Sequence, residues 1–120
     1  MRIEQATTFV LNGGSLLQLA ADVRAEHLAA LGIDPSAPSD PNLGRAEASA
    51  FMRSFARHLG DRHAGNPRIG RALREWVSHT DHYEAWDALL SGFQVESRDA
   101  LVRRGQMMFP RSLTAHWTEP

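Results

Sequence analysis

Apolar residues recur along this chain at intervals of three and four, punctuated by glycine, proline and small polar residues. That period belongs to an amphipathic helix, whose geometry gathers positions i, i+3, i+4 and i+7 on one face. Ser15 is a capping residue type, and Leu16, Leu19, Ala20, Val23, His27, Ala30 and Leu31 follow it on one stripe. Asp22, Arg24 and Glu26 fall largely on the other side, and Gly32 closes a helix predicted over residues 15–31. Residues 2–11 fit two patterns: Ile3, Ala6, Phe9 and Val10 have helical spacing, while Thr7 to Val10 would also suit a strand. The helical spacing is preferred, with an exit at Asn12-Gly13-Gly14.

Residues 32–44, GIDPSAPSDPNLG, read as a long loop within one domain, a kind of segment that is uncommon and often functional. Asp40 before Pro41 is placed to cap the next helix. Ala48, Phe51, Met52, Phe55 and Leu59 form its apolar face, and Gly60 should stop it. Asn66-Pro67 repeats the cap-then-proline signal ahead of Ile69, Leu73, Trp76 and Val77, which carry a helix to about His79. Asp81 and Glu84 suggest a capping box for a further helix through Tyr83, Trp86, Leu89 and Leu90 to Gly92. Ser97 caps a last one bearing Leu101, Val102, Met108 and Phe109, stopped by Pro110. The pattern predicts an all-α, compact bundle of four to six short amphipathic helices. It forms a single helical domain over residues 1–120, with the Pro/Ser-rich loop at 32–44 and a polar tail at 110–120. Leu19, Val23, Phe51, Phe55, Leu59, Leu73, Trp76 and Leu101 are its expected core.

Composition narrows the chemistry. The 120 residues include no cysteine, which excludes disulfides, thiolate nucleophiles and cysteine metal sites, and which fits a reducing, cytoplasmic setting. No apolar run approaches the roughly 18 residues of a membrane span, and polar residues interrupt the N-terminal apolar run too early for a secretory signal. No serine sits in a nucleophile elbow, no glycine-rich phosphate loop follows a strand, and Gly13-Gly14-Ser15 reads as a plain turn.

The formal net charge of −1 argues against nucleic acid as a partner, but it averages over a gradient. From Arg53 to Arg74 six arginines face a single acid, Asp61; from Glu75 to Asp99 six acids face a single base, Arg98. Such a gradient can pair internally, pair across a homodimer, or present a phosphate-facing patch. Every strong base is arginine, whose planar fork suits carboxylates and phosphates.

Three groups of residues could carry a function. Glu75, His79 and His82 fall on one face of a continuous helix, a way to hold a divalent metal ion in a bundle, with His58 and His63 available to complete it. Against it, Thr80-Asp81 resembles a helix start, and His79 at a helix C-terminus with a solvated His82 needs no metal. RHLGDRH, Arg57 to His63, resembles the short motif of HEPN-type ribonucleases, helical and often dimeric proteins. The resemblance covers seven residues and implies that Arg57 and His63 converge across a dimer to cleave RNA; Gly60 departs from the helical geometry that family uses. Third, Trp76, Tyr83 and Trp86 cluster, and Trp117 lies in the tail. Trp76 is expected in the core, whereas Trp86 and Trp117 are expected at the surface. There, with Arg68, Arg71 and Arg74 on one helical face, they have the residue types of interface hot spots.

The resulting expectation is a small helical protein-binding protein, of accessory, inhibitor or immunity type, that acts through an arginine- and tryptophan-bearing surface and needs no cofactor. A metal- or ligand-binding helical enzyme built on Glu75, His79 and His82 is the alternative, and a HEPN-like ribonuclease using Arg57 and His63 the third. The balance leans away from an enzyme, and towards a protein partner with no membrane association.

Overall fold

The computed structural model of the chain describes residues 1–79 and 82–118, less the side chains of His82, Glu84, His116 and Thr118. Within these residues the chain is all-α. Six helices of nine to eighteen residues follow one another: α1 (Ile3–Leu11), α2 (Leu16–Ala30), α3 (Arg45–Arg62), α4 (Pro67–His79), α5 (His82–Gly92) and α6 (Arg98–Met108). A short helix α7 (Arg111–Thr114) and a 3-10 turn (Ala115–Thr118) end it.

Local chemistry sets most of the boundaries. The Ser15 hydroxyl accepts from the Gln18 N–H at 3.0 Å and the Ser97 hydroxyl from the Ala100 N–H at 3.1 Å, each satisfying a donor that the first helical turn leaves free. Asn66 does the same for Arg68 N–H at 2.9 Å, immediately before Pro67 opens α4. At the far end of α2, Gly32 takes a positive φ of 75°, and the Ile33 and Gly32 N–H groups return to Leu28 and Ala29 carbonyls. Residues 3–11 are helical, which resolves the ambiguity of that segment.

Two expected boundaries are corrected. Asp40-Pro41 does not start α3, because the Asp40 carboxylate accepts from Asn42 N–H at 2.9 Å in a local turn. The helix begins at Arg45. Gly60 does not stop α3, which runs on to Arg62. A Cβ at Gly60 would lie 2.6 Å from a Phe93 ring carbon, so this glycine serves packing. Helix α5 ends at Gly92 as expected; a Cβ there would approach the Arg53 carbonyl oxygen to 2.6 Å, and the left-handed exit residue is Gln94, at φ 57°. The capping box proposed for Asp81 and Glu84 lies outside the described residues.

One cluster of buried side chains draws on α1 to α6 and on the 3-10 turn. Leu19, Phe55, Leu59, Leu73, Trp76 and Leu101 belong to it, Val23 is buried beside it, and Phe51 is only half-buried, stacked on Phe55 at 6.0 Å between ring centroids. Of the polar tail, residues 111–118 form α7 and the 3-10 turn, and Trp117 lies in the core with no exposed surface. Among the described residues no helix is long and apolar enough to cross a membrane.

Candidate docking surface

Helix α5 buries one face by ordinary amphipathic packing: Ala85, Ala88, Leu89 and Phe93 are all buried, largely against α3. The opposite side of such a helix is normally polar. Here Tyr83, Trp86, Asp87 and Leu90, at i, i+3, i+4 and i+7, line an open groove of about 400 Å³ together with Arg98 from the start of α6. Tyr83 is 80% exposed, Leu90 is half-buried, and Trp86 forms the floor with 9% of its surface exposed.

The groove is held rigidly. The Arg98 guanidinium lies 4.4 Å from the Trp86 ring centroid, close enough for a cation–π contact. Its Nε and Nη2 donate to the Trp117 carbonyl at 3.1 and 2.7 Å. Trp117 meets Trp86 edge to face, with centroids 6.4 Å apart and planes at 89°. Both indole N–H groups are buried with no hydrogen-bond partner among the described residues. From the other side, Arg53 of α3 reaches Asp87 at 3.4 Å. That ion pair joins the basic stretch to the acidic one, so the charge gradient pairs internally at this point. Asp87 is the one acidic side chain lining the groove, and Glu96 and Asp99, close to Arg98 in sequence, are exposed.

The residues expected to form a binding surface are not brought together. Trp86 and Trp117 are corrected from surface to interior: they pack on each other and under Arg98, which removes Trp117 altogether as a contact residue. Arg68 and Arg71 are exposed and Arg74 half-exposed, but Arg68 and Arg71 line a different groove, with Gly13, Gly14 and Glu75, where Arg68 Nη1 donates to the Leu11 carbonyl at 2.7 Å. Tyr83 and Leu90 are legible in the sequence as apolar positions on a helix, but their spacing does not say which of them is left exposed.

The other candidate groups fare as follows. Glu75 and His79 are exposed on α4, the His82 side chain lies outside the described residues, and among the described residues no group of three or more histidines and carboxylates is placed to hold a metal ion. Arg57 and His63 take different partners. Arg57 lies 3.9 Å from Asp61 and against the Gln94 amide, whose oxygen can accept from the guanidinium at 2.9–3.1 Å. His63 instead approaches His58, with ring centroids 5.6 Å apart. Burial first, then the neighbouring His63 and Arg62, hold the His58 pKa below the ordinary histidine value, with Glu4 and Asp61 opposing.

The chain matches no family model, no curated protein and no solved structure.

Proposed function

We propose that this chain is a protein-binding helical module that docks a basic amphipathic helix of another protein along the outer face of α5. The observation that carries the reading is the groove along α5 in which exposed Tyr83 and half-buried Leu90 border the largely buried Trp86 ring. Tyrosine, tryptophan and arginine are the residue types over-represented at interface hot spots, and all three meet here. A helix laid in such a groove anchors through side chains at the same i, i+3, i+4, i+7 spacing that lines it. Asp87 in the groove wall, with exposed Glu96 and Asp99 near Arg98 in sequence, favours a partner with basic flanks, since complementary charge speeds encounter and disfavours acidic competitors. Action by occlusion or scaffolding requires nothing more than this surface.

The test is residue-resolved NMR of the protein titrated with a synthetic amphipathic helix of leucine and lysine. Two controls accompany it, the same helix with glutamate for lysine and a lysine peptide without leucine. Saturable shifts at Tyr83, Leu90 and the Trp86 indole with the leucine–lysine helix alone are the expected result. Shifts centred on Arg68 and Arg71, equal shifts with the lysine peptide, or no shifts would overturn the reading. Concentration-dependent self-association through α5 in the absence of peptide would replace the foreign helix with a second copy.

A further inference from the structure

A second concavity, of about 300 Å³, opens between α2 and α3 at the foot of the long loop. Its walls are the small side chains Ala20, Ala21, Ala48 and Ala88, which leave the space that larger residues would fill. Its floor is Met52 and Trp76, and those two residues with Ala88 also bound a narrow apolar void that continues inward beside Phe55 and Leu73. The polar groups stand at the mouth: Arg24, Arg45 and Ser49. Among the described residues, no acidic side chain lines it.

Arg24 is fixed in place there. Its Nε donates to the Leu43 carbonyl at 2.6 Å and its Nη2 to the Pro41 carbonyl at 2.9 Å, which ties the loop down over α2. The Nη1 group takes no part in these bonds. Arg45 is oriented by the Asn42 side chain, Nη1 to Oδ1 at 2.9 Å. The Arg24 guanidinium is thus held in position beside an apolar chamber, and the volume lies at the lower end of the about 300–1,000 Å³ usual for small-molecule sites. Its Nη1 group and second Nη2 hydrogen, outside those two bonds, are the donors that match a carboxylate.

We infer that this pocket binds a small hydrophobic carboxylate, with the acid group at Arg24 and the apolar body on Met52 and Trp76. The site is separate from the α5 groove and does not depend on it. It also accounts for the loop at residues 32–44, since Pro41 and Leu43, through Arg24, hold one side of the mouth.

The probes are octanoate, octanol and octylammonium, titrated into the full chain and followed by tryptophan fluorescence and by melting temperature. Octanoate should bind saturably, at least tenfold tighter than octanol, and octylammonium more weakly than either. Ala20→Leu, which fills the chamber from α2, should lower octanoate affinity at least tenfold. Arg24→Met should remove the preference for octanoate over octanol while leaving the far-ultraviolet circular dichroism unchanged. Arg24→Lys, which keeps the charge, should retain that preference. Equal affinity for the three probes, or undiminished octanoate binding in Ala20→Leu, would overturn the assignment.

Discussion

The most demanding consequence of the fold concerns Trp117 and the glycine beneath it. Trp117 has no exposed surface, packs edge to face on Trp86 and supplies the carbonyl that anchors Arg98. Removing a buried tryptophan side chain costs about 3–5 kcal/mol. For a chain of this size that corresponds to a fall of about 12–20 °C in melting temperature, at about 4 °C per kcal/mol. Gly105 on α6 sits directly against the ring, and a Cβ there would come within 2.6 Å of a ring carbon. Gly105→Ala in the wild type therefore sets an overpacking cost of about 1–3 kcal/mol against a helix-propensity gain of about 1 kcal/mol. In the Trp117→Ala background the obstacle is gone, and the same substitution should stabilise the protein by about 1 kcal/mol. The double-mutant cycle, measured by urea unfolding, should give a coupling of about 1–3 kcal/mol. Additivity to within about 0.5 kcal/mol, or a loss below about 1 kcal/mol for Trp117→Ala, would show that the tail does not pack on α6 as described.

Gly92→Ala should destabilise by about 1–3 kcal/mol, because its Cβ would meet the Arg53 carbonyl oxygen at 2.6 Å and the Ala56 Cβ at 2.8 Å, neither of which can swing aside; chemical denaturation reads it directly. Since the folded His58 pKa lies below its unfolded value, its contribution to stability is full above about pH 6.5 and is lost as the pH falls from there through the folded value; unfolding curves across that range should show the decline shrink in His58→Gln. Asp87→Asn should cost less than about 1 kcal/mol, as both partners of its ion pair with Arg53 are over a third exposed, so a loss of several kcal/mol by denaturation would contradict the surface character of the pair.

What the sequence makes legible here follows from how local each signal is. Ser15, Asn66 and Ser97 act on backbone groups two or three residues away, so the helices they cap can be read directly from sequence. Gly60 misleads for the opposite reason. A glycine near the end of an apolar run reads as a stop, whereas this one answers to Phe93, more than thirty residues away in the chain. Asp40-Pro41 fails because aspartate serves a local turn as readily as a helix cap. Trp117 lies in a stretch too polar to predict a helix, and its burial depends on α6 and α5 leaving room for it. The α5 groove is hidden for a related reason: an apolar residue at helical spacing counts towards the core until the structure shows that the core is already full on that side. The pocket under the loop is a property of four alanines on three helices, which no single segment reveals.

The central claim is that the outer face of α5 is a docking surface, and Tyr83 is its most exposed element. Tyr83→Ala removes a side chain that is 80% exposed and so should leave the melting temperature unchanged to within the effect of a surface substitution. The decisive measurement is the affinity of a fluorescently labelled leucine–lysine helix for the wild type and for Tyr83→Ala, taken at matched pH and salt. A hot-spot tyrosine is worth about 2 kcal/mol or more, so the variant should bind roughly thirtyfold more weakly at unchanged stability. Equal affinities for the two proteins, with binding otherwise saturable, would contradict the account and place the interaction elsewhere on the molecule.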